Sequence, residues 1–488
     1  MKKNDEFEIY ITDLSDDGAG VGRAAAPGGA PSSAFTWFVK DAVIGDRVLA
    51  AATKVKKNYG FARVVRVLEA SPDRVQPPCP EARRCGGCQI QQLSYDAQLE
   101  FKENKIRNDL LRIGGFSEQE IHMEPIIRME TPFRYRNKTV YPIGTDREGR
   151  LIAGFYAGRT HSIIPCEDCL LGQKENGRVL RTILRFMEEK NIPAYDETAH
   201  TGLVRHVLIR SGRRTGEWMV CIVINGDRLA FAEELCSRLK EELPGLRSFS
   251  LNINKERTNV IMGTGLVHLL GPGYIEDEIR EITGEKDIIS GQAESCSDGA
   301  FSSSVRFRIS PLSFFQVNPE QMERLYSTAL EFAGLKGEEK VWDLYCGVGT
   351  ISLFLAGHAK KVYGVEIIPA AIENAKENAV LNHIDNAEFF VGRAEEVLPA
   401  WHETHPEERI DVMVVDPPRK GCDSRCLETM VQMAPSRIVY VSCDPATLAR
   451  DLRYLCDHGY QIERVKPCDM FSQTVHIETI VLLQKLNS

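Results

Sequence analysis

The sequence predicts a multi-domain chain. An OB-like β-barrel comes first, a mixed α/β domain follows, and a Rossmann-like doubly wound α/β domain ends it. Three observations carry this prediction. The first 70 or so residues alternate apolar and polar positions between glycine turns. Residues 133–310 mix strand-like and helix-like periodicities. From about residue 320 onward, seven apolar runs are separated mostly by helical segments, the pattern of a largely parallel sheet. Length agrees: 488 residues at roughly 150 per domain give about three domains. The expected boundaries are 1–70, 71–315 and 316–488.

In the first segment Phe7, Ile9 and Ile11 alternate with polar residues, as do Phe35, Trp37 and Val39. Asp17-Gly18-Ala19-Gly20-Val21-Gly22-Arg23 and Gly45-Asp46 are turns, and 24–33 is a small-residue loop. Lys54, Lys56, Lys57, Arg63 and Arg66 stand with few acids between them, a face able to meet phosphates. Residues 71–95 are rich in Pro, Cys, Arg and Gln. A helix is expected over 95–113, with Leu99, Ile106, Leu110 and Leu111 on one face. In the middle domain strands are expected at 137–143, 151–157, 204–210, 217–225 and 258–270, helices at 173–190 and 229–241, and a polar insertion at 286–300. The seven later strands are expected at 340–344, 361–365, 388–391, 410–415, 437–442, 460–467 and 476–484.

Hydrophobic residues make up 43% and charged residues 26% of the chain, the balance of ordinary globular protein. No apolar run approaches the roughly 18 residues of a membrane span. Met1-Lys2-Lys3-Asn4-Asp5-Glu6 turns acidic where a signal peptide turns apolar. A cytoplasmic protein with no membrane partner is therefore expected. In a reducing compartment the 14 cysteines read as thiols, metal ligands or a nucleophile before disulfides. The net charge of −9 argues against non-specific coating of nucleic acid, though not against a local basic face.

Val341-Trp342-Asp343-Leu344-Tyr345-Cys346-Gly347-Val348-Gly349-Thr350 is a strand entering a glycine turn, and the next strand ends at Glu366. Gly347 and Gly349 let backbone approach a ligand, and a carboxylate at that strand end can hold both ribose hydroxyls. Gly-x-Gly preceded by Asp343 fits S-adenosylmethionine better than a dinucleotide, because no pyrophosphate needs cradling. Asp416-Pro417-Pro418-Arg419-Lys420-Gly421 follows another strand onto the same rim. Arg419 stands where an amino-group methylase would carry a base-stacking aromatic. Cys443, in Val441-Ser442-Cys443-Asp444-Pro445, sits at a strand-to-helix turn, a position that lowers a thiol pKa. Glu478 opens the final strand among β-branched residues. A thiolate, a base and a methyl sulfonium are the minimum set for methylating C5 of uracil: the thiolate adds at C6, C5 takes the methyl, and the base removes the C5 proton.

Cys79, Cys85 and Cys88 form Cys-x5-Cys-Gly-Gly-Cys, with Cys166 or Cys169 available as a fourth thiolate. By spacing, zinc and an iron–sulfur cluster are equally served.

With these motifs the chain resembles, over nearly its whole length, the RNA 5-methyluridine methyltransferases that carry a TRAM domain. The barrel resembles TRAM through residues 17–23 and 38–46. The resemblance implies a [4Fe-4S] cluster on Cys79, Cys85, Cys88 and Cys169. It implies an RNA-facing segment at Phe133-Arg134-Tyr135-Arg136-Asn137-Lys138. It implies contacts to S-adenosylmethionine from Gln316, Tyr345, Gly347, Gly349, Thr350, Glu366 and Asp416. It implies Cys443 as nucleophile and Glu478 as base. Asp444 replaces a frequent Asn, and Cys422 stands where an aliphatic residue is usual. Relatives with both TRAM and cluster favour 23S ribosomal RNA as partner, with tRNA the alternative, and a monomer suffices. Cytosine-C5 methylation lacks its cysteine after Asp416-Pro417, and radical chemistry lacks Cys-x3-Cys-x2-Cys. A non-catalytic RNA-binding module is disfavoured by Cys443 and Glu478 standing together.

Overall fold

The structure, a computed structural model, describes residues 2–25, 34–158, 160–282 and 304–486. Most of the loop 24–33 and the whole insertion 286–300 lie outside the described residues. The chain forms two compact units. One gathers the described residues of Met1–Lys105, Phe155–Ile164 and Phe471–His476; the other those of Ile106–Gly154, Pro165–Met470 and Ile477–Ser488. Among the described residues, no helix is long and apolar enough to cross a membrane.

The first unit opens with the expected barrel. Strands β1 (Glu6–Leu14), β2 (Gly20–Ala25), β3 (Ala34–Lys40), β4 (Arg47–Val55) and β5 (Tyr59–Glu69) close in the order β1-β2-β3-β5-β4. The alternation seen in the sequence becomes the core: Ile9, Ile11, Trp37, Val39, Val48 and Ala50 face inward. Phe7 lays its ring 4.4 Å from that of Trp37. Gly60 is required where β5 crosses Trp37, because a Cβ there would stand 2.4 Å from the indole. Buried Asp46 accepts the Val43 and Ser71 amides and pairs with Arg74 at 2.5 Å, tying the segment after β5 to the barrel. The predicted helix follows as Tyr95–Arg112.

The middle of the chain forms a seven-stranded sheet from β6 (Lys138–Thr145), β7 (Leu151–Tyr156), β8 (Ile163–Pro165), β9 (Val204–Ser211), β10 (Trp218–Ile224), β11 (Leu246–Ile253) and β12 (Gly265–Leu270). Their order is β12-β11-β10-β9-β6-β7-β8. Helices Glu175–Glu189 and Ala232–Glu242 match the predicted pair. The second is the crossover that parallel pairing of β10 with β11 demands. The expected strand 258–270 is realised only over Gly265–Leu270. Ahead of it the Asn254 side-chain amide donates to the carbonyls of Val260 and Ile261, and that of Asn252 to Gly263, replacing ladder bonds. β13 (Ile275–Arg280) and β14 (Ser304–Ile309) pair antiparallel on either side of the insertion, which the sequence left open as a hairpin tip or a loop, without naming these two strands.

The C-terminal strands are those read from the sequence: β15 (Lys340–Leu344), β16 (Lys361–Glu366), β17 (Ala387–Val391), β18 (Val412–Val415), β19 (Arg437–Ser442), β20 (Tyr460–Cys468) and β21 (Glu478–Lys485). Their order is β17-β16-β15-β18-β19-β21-β20. The first five are parallel, and β21 runs antiparallel between β19 and β20. Strand order reverses at β15, so the crevice beyond the carboxyl ends of β15 and β18 is where such a sheet binds ligands. Because β21 is reversed, its first residue arrives at that same end: Thr479 pairs with Ser442.

Candidate active site

Beyond β15 the backbone turns through three left-handed residues, Tyr345 (φ 68°), Gly347 (φ 56°) and Gly349 (φ 78°). A Cβ on Gly347 would meet no atom within 4 Å, so its φ alone calls for glycine. Tyr345 adopts the same region at the usual non-glycine cost. Glu366, ending β16, braces the turn by accepting the amides of Gly347 (3.3 Å) and Ile368 (3.0 Å). Below it Asp343 is fully buried and accepts from the Ser352 hydroxyl. Burial pushes its carboxyl up to about 7, with Asp416 and Glu366 adding to the rise. Thr350 Oγ1 and the Tyr326 hydroxyl are hydrogen-bonded at 3.1 Å. Gln316 is buried, and its carbonyl accepts from Asn137 Nδ2 at 3.1 Å. Asn137 thus ties the segment carrying Gln316 to the start of β6.

The second part of the rim is a loop bolted to a helix. Asp416 leaves β18 and its amide donates to the Leu344 carbonyl at 3.3 Å. Farther along, Thr447 Oγ1 donates to the Arg419 carbonyl (3.0 Å), Arg450 to that of Lys420 (3.0 Å), and the Cys422 amide to Asp451 (2.8 Å). Asp451 also accepts the Tyr440 hydroxyl at 2.6 Å and pairs with Arg450 at 2.7 Å. All three fastening residues belong to the helix Pro445–Asp457, which starts directly after Cys443 and Asp444. The nucleophile candidate and the Asp416 loop therefore share one frame.

Cys443 is half-buried, and its thiol is pushed up to about 11. Burial is the main cause, the charges of Glu478 and Asp416 add to it, and Arg419 opposes. This corrects the expectation of a thiol pKa lowered by the helix N-terminus. The Asp444 carboxylate takes the Ala446 and Thr447 amides at 3.1 and 3.0 Å, so the helix end is already satisfied by a negative group. Glu478 is 4% exposed, and its carboxyl is raised well above the usual range by burial and by Asp416, against Arg419. Asp416 is pushed up to about 7 by burial. The four side chains Asp416, Arg419, Cys443 and Glu478 thus feel one another's charge at one end of the sheet.

The cysteine motif has a different outcome. Cys79, Cys85 and Cys88 belong to the first unit, and Cys166 and Cys169 to the second. All five are half-buried. The Cys79 amide donates to Gln91 at 3.0 Å, and the Gly87 amide to Cys85 Sγ at 3.4 Å. Hydrogen bonding from Cys166, then from the amides of Leu171 and Gly172, brings the Cys169 thiol down to about 6 against the cost of burial. Among the described residues no group of three or more His, Cys, Asp or Glu is placed to hold a metal ion. Of the expected ligands, Cys79, Cys85 and Cys88 thus lie in one unit and Cys169 in the other, and no disulfide joins the described cysteines. In the segment expected to face RNA, Arg134 pairs with Asp168 at 2.5 Å and donates to the Cys169 and Gly172 carbonyls. Lys138 is half-buried, and burial lowers its ammonium to about 8, with Arg210 adding.

Ser352, Tyr440, Arg450 and Asp451 support the site but were not singled out from sequence. Asp343 carried a signal in its place before the glycine turn, and Asn137 in its place in the expected RNA-facing segment.

A family model described as tRNA (Uracil-5-)-methyltransferase matches residues 300–486, and a TRAM domain model matches residues 2–65. An uncharacterized RNA methyltransferase of Halalkalibacterium halodurans is 47% identical over 487 residues, 100% of this chain and 98% of the relative. One from Clostridium tetani is 44% identical over 483 residues, 99% of this chain and 97% of the relative. Among solved structures, the Pyrococcus abyssi tRNA (uracil-54, C5)-methyltransferase in complex with S-adenosyl-L-homocysteine superposes with a TM-score of 0.72 at 26% identity. That match covers 98% of this chain and 100% of the other. The chain belongs to the RNA (uracil-5-)-methyltransferase family and is a member that carries an N-terminal TRAM domain.

Proposed function

We propose that this protein methylates C5 of uracil in 23S ribosomal RNA, using S-adenosylmethionine and a transient bond between Cys443 and C6. The observation that carries the reading is the meeting of Asp416, Cys443 and Glu478 at the carboxyl end of the sheet, beside the braced turn of Tyr345, Gly347 and Gly349. The cofactor supplies an electrophilic methyl carbon. Gln316, Tyr345, Gly347, Gly349, Thr350, Glu366 and Asp416 would hold it, Glu366 being the carboxylate suited to the ribose hydroxyls.

The Cys443 thiol gives its proton to water and adds as thiolate to C6, and the C5–C6 π pair moves into an enolate over C4 and O4. C5 would then bond to the methyl carbon as the S–CH3 bond breaks, its electron pair staying on sulfur to leave S-adenosylhomocysteine. Glu478 removes the C5 proton, the electron pair restores the C5–C6 double bond, and the C6–S bond breaks to return the Cys443 thiolate. The burial that raises the Glu478 carboxyl also makes its carboxylate, once ionised, a stronger base for that proton.

Ribosomal RNA is favoured by the TRAM domain together with the Cys79/Cys85/Cys88 spacing, the pairing the sequence analysis connects with rRNA enzymes. The tRNA reading has its own support: the family model and the Pyrococcus abyssi structure both carry tRNA in their names. A [4Fe-4S] cluster on Cys79, Cys85, Cys88 and Cys169 rests on the resemblance to TRAM-carrying relatives, since spacing alone serves zinc equally, and no step above passes through it. We further place the protein in the cytoplasm as a monomer, divided functionally at 1–70, 71–315 and 316–488.

The test is nucleoside mass spectrometry on unmodified rRNA and tRNA, each incubated with protein and S-adenosylmethionine. New 5-methyluridine is expected in rRNA alone and absent with Cys443→Ala. Product in tRNA alone would reject the ribosomal assignment. Product made by Cys443→Ala would reject the covalent route.

A further inference from the structure

We propose that the outer face of β3 and β5 is a stacking platform for unpaired RNA bases, built from Phe38, Tyr59 and Phe61. The inference rests on the proposed function only for the kind of polymer bound. Strand alternation turns Phe35, Trp37 and Val39 into the barrel and leaves Thr36, Phe38 and Lys40 on its outer face. Parallel pairing sets Thr36 beside Tyr59, Phe38 beside Phe61 and Lys40 beside Arg63. The three rings form one cluster: Phe38 and Tyr59 at 5.7 Å, Phe38 and Phe61 at 5.6 Å, Tyr59 and Phe61 at 5.6 Å. None of them belongs to the barrel core, and Tyr59 is 40% exposed. Gly60 between Tyr59 and Phe61 lets β5 lie flat on Trp37, which holds both neighbouring side chains on the outer face.

Charge names the occupant. Arg23, Lys40, Lys54, Lys56, Lys57, Arg63 and Arg66 are exposed on this barrel, and none of them forms an ion pair among the described residues. Elsewhere on the same barrel Arg47 is neutralised by Glu8 and Glu69. In a chain of net charge −9, unpaired cations around exposed rings fit a polyanion that also offers flat apolar faces. Single-stranded RNA is that ligand: its phosphates meet the cations and its bases stack on the rings. A duplex hides its base faces and can use only the cations.

The experiment uses the full chain, a fluorescein-labelled oligouridylate of about twelve nucleotides, within the site size of a small barrel, and a duplex RNA of the same length. Tyr59→Ala should weaken oligouridylate binding by about tenfold, the order of one lost stack, with unchanged melting temperature. Tyr59→Phe should keep the affinity, and duplex binding should ignore both changes. Photo-cross-linking of wild type with 5-bromouridine in the oligonucleotide should label the tryptic peptide Asn58–Arg63, a readout that survives if an alanine variant misfolds.

Full oligouridylate affinity in folded Tyr59→Ala, equal loss on duplex, or no cross-link in that peptide would each overturn the platform. Methyl transfer measured on the same preparations separates the two claims. Transfer without Tyr59 dependence sinks the platform alone. Tyr59 dependence without transfer to any RNA sinks the proposed reaction alone.

Discussion

At the scale of single residues, Cys443 is held as a neutral thiol. Burial and the neighbouring carboxyl groups of Glu478 and Asp416 favour S–H over thiolate, and Arg419 is the counterweight. With the folded thiol at about 11, alkylation of Cys443 by iodoacetamide in ligand-free protein should be slower at neutral pH than in an unfolded peptide. It should rise about tenfold per pH unit up to that value. Arg419→Gln removes the opposing charge and should slow alkylation further, whereas Glu478→Gln should speed it. Peptide mass spectrometry checks all three, and neutral-pH alkylation as fast as free cysteine would contradict the assigned environment. The sequence located Cys443 and Glu478 but misjudged the thiol, because Asp444 occupies the helix end and the carboxyl neighbours come from β18 and β21, far along the chain.

At the scale of elements, the helix Pro445–Asp457 acts as the mount for the Asp416 loop. Asp451 alone receives the Tyr440 hydroxyl, the Cys422 amide and the Arg450 guanidinium. Asp451→Ala would leave a buried tyrosine hydroxyl and a backbone amide without their acceptor. The expected cost is roughly 3–5 kcal/mol, the range for removing one partner of a buried charged network. Thermal unfolding should show that loss, and limited proteolysis should cut between Arg419 and Arg425 faster than in wild type. Unchanged melting and protection would mean that the loop is held by other contacts. Of the C-terminal strands, β15, β16, β18 and β19 were legible because each is a short apolar run buried on both faces. The bounds of β13 and β14 were not, although a hairpin tip at 286–300 was one reading of the sequence, because polar alternation as in Ile275-Glu276-Asp277-Glu278-Ile279-Arg280 resembles a solvated loop until a neighbour covers one face.

At the scale of the whole molecule, the cysteine motif is the largest open difference between sequence and structure. If the cluster reading holds, anaerobically purified protein should carry about four iron atoms per chain, and Cys85→Ser should lose them. Iron content near zero in wild type would reject the cluster. The sequence by itself determined the barrel at one end of the chain and the doubly wound sheet at the other, and it supplied the residue types on which the proposed reaction rests. Those depend on local periodicity, turn chemistry and the strand ends where side chains fall, all written over a few consecutive residues. Only the tertiary structure decided that β21 runs antiparallel, the direction that lets Glu478 share one end of the sheet with Asp416 and Cys443. It alone decided that Asn137 and Asp451 brace segments distant in the chain, and that the thiol lies among carboxyls. Strand direction, long-range hydrogen bonding and the field at a buried site arise from packing between remote segments, and no local pattern encodes them.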